Sequence, residues 1–357
     1  MKNMSDFNKR QYDRVWKALN EELKQENSLR DALLSLEAQQ LDAGFIRDDL
    51  QSVIHFRLHH PHDKSRIFQV QYNPKRAVRL VGAGRKLPPP GSHSTHNGCF
   101  LCKSNIRWQQ QGVEVGLDIE TSRGNYIAWM NPFPLKPAHV TIAARDHIPQ
   151  AWITENEDTS IPRFEALLAD LLELASRLPG FVGFYNGVGA GASLPDHFHF
   201  HFFMRPEGSG PFPLERATLR MDGNRHDFSV GAIVQDYPIT ALYFLGKGEV
   251  LMERSTQWIR RLIMDARRYL SALSANLIAY ADADAPERLH LFIVPRNKYF
   301  SHAPGMTGMI GGLEVLGEIV FSTELEKQLL DTGQVDYFFV ERILSAVEPL
   351  GIISELR

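Results

Sequence analysis

Three histidines, His197, His199 and His201, alternate with phenylalanines in the segment HFHFHFF. Because successive side chains of a β-strand point to opposite faces, a strand here places three imidazoles on one face and the phenylalanines on the other. Imidazoles that share a surface can bind a metal ion, hold phosphate oxygens or supply a nucleophilic nitrogen. The alternative is a histidine-rich strand whose rings only bond to backbone groups, and strict alternation after a glycine-rich loop disfavours it.

That loop, GVGAGASLPD at 187–196, consists largely of glycine and other small residues. It contains G-x-G, but a dinucleotide-binding fingerprint requires a helix after the loop, and here a second predicted strand follows. We interpret it as a phosphate cradle. The glycines Gly189 and Gly191 let backbone N–H groups approach a ligand, and Ser193 adds a hydroxyl.

The only two cysteines, Cys99 and Cys102, have the C-x-x-C spacing of zinc ligands. Alone, the pair is also compatible with redox chemistry or simple burial. The missing half of a tetrahedral site would come from histidines, with His139 and His147 as candidates. His93 and His96 lie next to the cysteines and could replace His147.

The overall composition excludes several classes of protein. The chain has 357 residues, a mean hydropathy of −0.25 and no apolar stretch near the roughly 20 residues of a spanning helix. The first residues, MKNMSDFNKR, lack the apolar core of a signal peptide. A formal net charge of −3 offers no basic field for nucleic acid. We expect a cytoplasmic protein with neither membrane nor nucleic-acid partners.

The predicted elements that position these residues form two halves. Residues 1–55 are polar and helical, and a strand begins near Arg66. In the first half we predict strands at 126–130, 139–144, 181–186 and 197–204, with a helix at 159–180. In the second half we predict a strand-like segment at 237–245, a helix at 256–273, a strand at 288–296 and a helical tail at 314–357. Aligning Arg205 with Arg296 suggests an internal duplication that sets His199 opposite His290, although a chance echo explains it nearly as well.

Together, these motifs resemble the histidine-triad (HIT-like) superfamily. The resemblance is carried by P-x-K-P-A-H ending at His139, A-R-D-H-I around His147, N-G at Asn186, G-A-S ending at Ser193, and the alternating histidines. The two-half length and the Q-Y-N-P-K-R stretch at 71–76 are most similar to one branch of it. That branch holds the hexose-1-phosphate uridylyltransferases, dinucleoside-polyphosphate phosphorylases and GDP-hexose phosphorylases. The resemblance covers 66–206 well, 237–320 loosely and 1–60 not at all.

The resemblance implies an α+β, HIT-like fold with an antiparallel sheet and packed helices, in two HIT-like halves. The implied domains are an N-terminal helical segment at 1–60, a catalytic half with the zinc site at 61–235, and a degenerate second half at 236–357. It also implies a nucleotidyltransferase or phosphorylase that acts on a nucleotide sugar or dinucleoside polyphosphate. The acceptor would be phosphate or a sugar phosphate, and a homodimer is common among relatives.

The resemblance also implies a role for each motif residue. His199 is the nucleophile that forms a nucleotidyl-histidine, a chemistry in which oriented donors hold the charge on the phosphate oxygens. Cys99, Cys102, His147 and His197 form a structural zinc site. Asn186 and Ser193 orient the phosphate and the imidazole, His139 lies near the α-phosphate, and Asn131 lies near the nucleotide.

One position departs from the pattern of that branch, which usually has glutamine where this chain has His201. A histidine there is typical of the hydrolases, in which it helps protonate a leaving group and water is the acceptor. A HIT-type hydrolase is therefore the alternative function. A non-catalytic nucleotide- or zinc-binding module is a third, disfavoured by the intact triad. In the second half, His290 could line the acceptor side, and Arg296 could bind an acceptor phosphate; both are equally compatible with ordinary strand positions.

Overall fold

The computed structural model describes residues 4–81, 96–109, 113–153, 157–222, 227–265 and 270–348. Its helices are α1 (Met4–Leu23), α2 (Leu29–Asp42), α3 (Lys103–Gln109), α4 (Glu157–Arg177), α5 (Pro213–Asp222), α6 (Gly248–Asp265), α7 (Gly312–Val315), α8 (Glu324–Asp331) and α9 (Tyr337–Ala346). Its strands are β1 (Ile54–His60), β2 (Asp63–Tyr72), β3 (Leu117–Glu120), β4 (Asn125–Met130), β5 (Val140–Ala144), β6 (Phe181–Asn186), β7 (His199–Met204), β8 (Ala232–Ile233), β9 (Leu242–Gly246), β10 (Leu273–Ala281), β11 (Leu289–Asn297) and β12 (Glu318–Phe321). The described part therefore has the predicted α+β composition.

The central feature is a nine-stranded antiparallel sheet with the order β3-β4-β5-β7-β6-β10-β11-β9-β8. The order is symmetric about the junction of β6 and β10: β7 corresponds to β11, β5 to β9 and β4 to β8. Along the chain, helix α4 leads into strand β6, and helix α6 leads into strand β10. The two halves therefore repeat one arrangement of elements. The two-half prediction for the fold is confirmed, whereas the domain limits at 60 and 235 remain predictions.

One face of the sheet is covered by helices α4 and α6. Leucines such as Leu168, Leu171 and Leu172 recur at helical spacing along α4 and are buried in the same core as Phe198, Phe200 and Phe202. Gly180, with φ +83°, follows the end of α4 in the left-handed conformation that glycine favours. The phenylalanines between the histidines therefore point at the helices, and the opposite face is left for His199 and His201.

That opposite face is partly covered by a second, three-stranded sheet with the order β1-β2-β12. Strand β12 is parallel to β2, with Val320 opposite Gln71, and the core beneath joins β2 and β12 to α9. A strand in the tail was not predicted, because four residues within a helical region give too short an alternation. Residues near the C-terminal end of the described chain therefore contribute to the site described below.

The N-terminal helix α1 closes the β3 edge of the large sheet. Trp16 donates to Asp118 at 3.0 Å and packs against Trp129, with ring centroids 5.3 Å apart. The same small core includes Leu101, between the two cysteines. Within the described ranges, no helix combines the length and apolar character that crossing a bilayer requires.

Candidate active site

His199 begins strand β7 and is held as a neutral imidazole with one defined tautomer. Its side chain is 1% exposed, and burial lowers its pKa to about 4. Its Nδ1 lies 2.7 Å from the carbonyl oxygen of His197. Because a carbonyl only accepts, Nδ1 carries the proton and Nε2 keeps the lone pair that a nucleophile needs.

Gln150, which the sequence analysis did not select, fixes the backbone of His199. Its Oε1 accepts from the His199 N–H at 2.7 Å, and its Nε2 donates to the carbonyls of His199 and Asn186, each at 2.9 Å. Strands β6 and β7 pair directly only as far as Phe184 and His201. The buried Gln150 amide therefore bridges the two strands where their own ladder ends, next to the candidate nucleophile.

His201 is hydrogen-bonded to a second imidazole, that of His139, and the donor and the acceptor of this bond can be assigned. The Leu135 N–H donates to His139 Nδ1 at 3.1 Å, so in the neutral ring His139 carries its proton on Nε2. That Nε2 lies 3.2 Å from His201 Nδ1. His201 Nδ1 then accepts, and the His201 proton is on Nε2. His201 is thereby set as a hydrogen-bond donor, as a glutamine amide would be.

Asn186 ends strand β6 with its side-chain oxygen fully engaged. Oδ1 accepts from Asn276 Nδ2 at 2.7 Å and from the Gly312 N–H at 2.9 Å. Both of these residues belong to the second half of the chain. With its oxygen used, the amide presents its NH₂ group as the remaining polar function.

His139, Asn186 and His201 lie in the wall of a cavity of about 260 Å³ between the two sheets. Six of the residues selected from the sequence line it, namely Asn131, His139, Asn186, Gly191, Ser193 and His201. His199 is not part of the lining; its ring centroid lies 5.0 Å from that of His201, at 86°. Gly189 is not part of the lining either. The cavity is close to the lower end of ligand pockets, which begin near roughly 300 Å³.

Two charged residues in the lining were missed by the sequence analysis. Arg76, in the Q-Y-N-P-K-R stretch, is buried and donates to the carbonyl of Phe133. Glu314 accepts from the Gly311 N–H at 2.9 Å. Burial raises the pKa of Glu314, and the Gly311 N–H, Arg76 and Arg296 oppose that rise. Arg76 could have been found from the sequence, because it ends the Q-Y-N-P-K-R stretch that contributes to the family resemblance. Nothing in the sequence distinguished Glu314.

The glycines of the loop are required by close packing against the second half. A Cβ on Gly189 would lie 2.0 Å from the Lys298 carbonyl oxygen, and one on Gly191 would lie 2.4 Å from the Gly311 Cα. Both glycines have positive φ, +70° and +98°. Their predicted role as a phosphate cradle remains a prediction, and the structure adds a separate reason for the absence of side chains.

Four possible metal ligands form a cluster in space near the start of β7. It consists of Cys99, Cys102, His147 and His197, and all the donor atoms lie within 4.8 Å of one another. The shorter separations are 3.3 Å from Cys99 Sγ to His197 Nδ1, 3.4 Å from Cys102 Sγ to His147 Nδ1, and 3.3 Å between the two Nδ1 atoms. Four atoms about 2.0–2.3 Å from a central ion have edges of this length, so the cluster can hold a tetrahedral metal.

The surroundings of the cluster also suit a metal ion. His197 Nε2 lies 2.7 Å from the Ala144 carbonyl, which fixes the proton on Nε2 and leaves Nδ1 to bind. A hydrogen bond from Cys102 and a further bond to His197 lower the pKa of Cys99, against the effect of burial, so the pair favours one thiolate even without a metal ion. Of the alternative ligands, His96 stacks on His147 with ring centroids 4.0 Å apart and is outside the group, and His93 lies outside the described residues. His139 lies at the cavity instead.

In the second half, His290 occupies the position that corresponds to His201. Phe184 pairs with His201 and stacks on it, and Tyr280 pairs with His290 and stacks on it. Tyr243 OH, on β9, lies 2.8 Å from His290 Nδ1, as His139 beside β5 contacts His201. The alignment of His290 with His199 was therefore wrong by two residues. A shift of two keeps each side chain on its face, so alternation cannot detect it.

Neither second-half residue proposed for the acceptor side lines the cavity. His290 bonds to Asp282 at 2.8 Å, and Arg296 is 0% exposed. Of the two interpretations left open for Arg296, the structure favours an ordinary buried strand residue, because its guanidinium donates within the protein to Asn276 and to the carbonyls of Ile310 and Val347.

Comparison with known proteins gives matches at two levels. Residues 35–204 match a family model described as a domain of unknown function, DUF4922. Among proteins of curated function, no sequence matches the chain. A crystal structure of yeast Ap4A phosphorylase Apa2 in complex with Ap4A is similar with a TM-score of 0.56 and 15% identity, covering 90% of this chain and 99% of that one. The complex of the same enzyme with AMP gives a TM-score of 0.52 and 16% identity, covering 88% and 98%.

At this level of identity the likeness concerns the fold, and it extends over nearly the whole of both chains. It includes the second half, where the sequence resemblance was loose. The chain thus has the HIT-like fold in the two-half arrangement of yeast Ap4A phosphorylase.

Proposed function

We propose that this protein is a nucleotidyltransferase of the phosphorylase type, which acts on a dinucleoside polyphosphate or a nucleotide sugar through a nucleotidyl-His199 intermediate. One observation carries the proposal: a buried, neutral His199 with its proton fixed on Nδ1 stands beside a cavity lined by hydrogen-bond donors and Arg76. The fold shared with an enzyme crystallised with Ap4A and with AMP supports the same reaction class.

In the first step, the Nε2 lone pair of His199 attacks the α-phosphorus of the donor. A P–N bond forms, and the bond from that phosphorus to the bridging oxygen of the leaving phosphate breaks. His199 Nδ1 keeps its proton, and the positive charge of the substituted imidazole is stabilised by the His197 carbonyl. Dividing the transfer in this way replaces one difficult displacement by two easier ones.

The negative charge on the transferred phosphoryl group needs fixed donors. The NH₂ group of Asn186, the hydroxyl of Ser193 and the guanidinium of Arg76 line the cavity and supply them. Asn186 is the best fixed of the three because two donors hold its oxygen. Donors that are already oriented act without reorganisation during the reaction.

In the second step, an oxygen of the acceptor attacks the same phosphorus and the P–N bond breaks, which restores His199. With inorganic phosphate as acceptor the product is a nucleoside diphosphate. With water it is a nucleoside monophosphate. Because the His139–His201 contact sets His201 as a donor, it can hold an acceptor or leaving-group oxygen as the usual glutamine would, so a histidine at this position is compatible with the phosphorylase as well as with the hydrolase.

Zinc is the metal that best suits two thiolates and two imidazoles in a tetrahedral arrangement. Cys99, Cys102, His147 and His197 would hold it, and its contribution there is structural cross-linking. His197 joins this cluster to the nucleophile, because its carbonyl accepts from His199 Nδ1. The cluster therefore holds the main chain against which the nucleophile is oriented.

The function is tested by incubating the protein with a panel of dinucleoside polyphosphates and nucleotide sugars, with and without inorganic phosphate, and identifying the products by mass. We expect a nucleoside diphosphate that contains the added phosphate. Monophosphate formed at the same rate with and without phosphate would support the hydrolase instead. No conversion of any donor, together with no covalent adduct, would contradict both.

His201→Gln separates the two enzymatic alternatives further. We expect the variant to form the nucleotidyl adduct and to transfer it to phosphate nearly as well as the wild type. If His201 assists water, release to water should slow by about 10²-fold, a typical contribution of an acid–base group, and the adduct should accumulate. The measurement is the ratio of hydrolysis to transfer in single-turnover reactions.

Thr141→Val is a suitable control for that experiment. Thr141 pairs with His201 across the sheet, and its hydroxyl lies 3.4 Å from His201 Nδ1, a weak contact. We expect it to leave the ratio close to the wild-type value. An unchanged ratio in His201→Gln as well would show that the third histidine is a passive phosphate ligand.

A further inference from the structure

A chain of three buried polar side chains runs from the second half of the protein to the cavity. Arg296 Nη1 donates to Asn276 Oδ1 at 2.6 Å, and Asn276 Nδ2 donates to Asn186 Oδ1 at 2.7 Å. We propose that Arg296 and Asn276 are positioning residues, which hold the Asn186 amide with its NH₂ group toward the transferred phosphoryl group. The inference rests on the proposed function and adds to it a role for the second half of the chain.

The direction of this chain is fixed by chemistry. A guanidinium only donates, so Asn276 must turn its oxygen to Arg296 and its nitrogen to Asn186. The nitrogen of Asn276 also donates to the Ala190 carbonyl, at 2.7 Å. A rotated Asn276 would face Arg296 with its NH₂ group, and it would no longer donate to Asn186 Oδ1 or to the Ala190 carbonyl.

The same constraint passes to Asn186. Its oxygen accepts from both Asn276 Nδ2 and the Gly312 N–H, at 2.7 and 2.9 Å. Rotation of the amide by 180° would bring its NH₂ group against these two donors. The donor side of Asn186 is therefore set by residues 90 and 126 positions away in sequence.

The buried charge of Arg296 strengthens the argument. The side chain is 0% exposed, on strand β11, and the nearby buried carboxylate of Glu314 favours its charged form. Burial lowers its pKa to about 10, so it still carries its charge near neutral pH. Its bonds to Asn276 and, at 3.0 Å, to the Ile310 carbonyl are charge-assisted.

The chain also ties together three parts of the cavity wall. Asn276 pairs with Asn186 across the junction of the two halves and holds the glycine-rich loop at Ala190. Arg296 holds Ile310, next to the glycines that line the cavity. A cationic anchor buried at this junction is costly, and orienting the donor of the other half is a role that accounts for it.

The test is a double-mutant cycle between Asn276 and Asn186. Asn276→Asp keeps the acceptor for Arg296 but turns a carboxylate oxygen toward Asn186 Oδ1, which should rotate the Asn186 amide. We expect the rate of adduct formation to fall by about 10²-fold, with KM changed by less than about fivefold. In an Asn186→Ala background, Asn276→Asp should lower the rate by less than about threefold more.

Arg205→Lys is the matched control. Arg205 is a partly buried arginine bonded to Glu215 at 2.6 Å, away from the cavity lining, so its replacement tests general destabilisation. We expect nearly wild-type kinetics from it. If Asn276→Asp does not fold, Asn276→Ala takes its place in the cycle, since it removes the donor without adding repulsion.

Two results would overturn the proposal: a wild-type rate in the Asn276 variant, or an additional loss of about 10²-fold in the Asn186→Ala background. A second readout does not depend on turnover. With asparagine selectively labelled with ¹⁵N, Asn276→Asp should shift the side-chain amide resonance of Asn186, and Arg205→Lys should not. If the wild type is inactive, the proposed function fails, and an unmoved Asn186 resonance would separately refute the positioning role.

Discussion

His199→Gln protein, quenched with acid after exposure to labelled donor nucleotide, should carry no covalent nucleotide, whereas the wild type should carry up to about one per chain. Turnover should fall by at least about 10⁴-fold, the scale of losing a nucleophile. The neighbouring histidines cannot replace it, because two residues along a strand correspond to roughly 6–7 Å. In addition, His197 is engaged with the cysteines and with the Ala144 carbonyl.

The control is His290→Gln, which changes a partly buried histidine on the second-half strand β11. His290 bonds to Tyr243 and Asp282 and does not line the cavity, so the adduct should form at the wild-type level. Metal content and the unfolding transition should be unchanged in His199→Gln. A His199 variant that still carries labelled nucleotide at the wild-type level would contradict the assignment of the nucleophile.

The histidine strand was predictable because its information is local. Alternation along β7 places Phe198, Phe200 and Phe202 in the helix-covered core and His199 and His201 on the other face, as expected from the pleat. His197 was predicted to belong to the same strand, but it lies just before β7, which begins at His199. The four residues of the metal cluster were named from the family resemblance, and their donor atoms do lie together.

The groups that orient the site were not predictable, because they come from distant parts of the chain. Gln150 has no special spacing in the sequence, and it becomes important only because β6 and β7 separate beside it. Asn276 lay outside every predicted element, and Arg296 was considered only as a phosphate ligand or an ordinary strand residue. The pairing of β6 with β10, and of β10 with β11, brings both side chains to Asn186. Periodicity reports which face a side chain occupies, but it does not report the register between strands, as the alignment of His290 with His199 illustrates.

The other large expected effect concerns the metal cluster. The wild-type protein should contain about one zinc ion per chain, and Cys99→Ser should lose most of it, because a neutral hydroxyl is a poor replacement for a thiolate ligand. A metal that binds only the folded state stabilises it; a site saturated about 1,000-fold above its dissociation constant contributes about 4 kcal/mol to the free energy of unfolding. Metal content and unfolding temperature should therefore fall together in Cys99→Ser.

His96→Ala is the control, since His96 stacks on His147 without joining the four donors. It should keep its zinc and lose little stability, whereas a loss equal to that of Cys99→Ser would make His96 a ligand in place of His147. Because the His197 carbonyl accepts from His199 Nδ1, the metal-depleted Cys99→Ser protein should also form the nucleotidyl adduct more slowly. A Cys99→Ser protein with full zinc content and wild-type stability would refute the metal site.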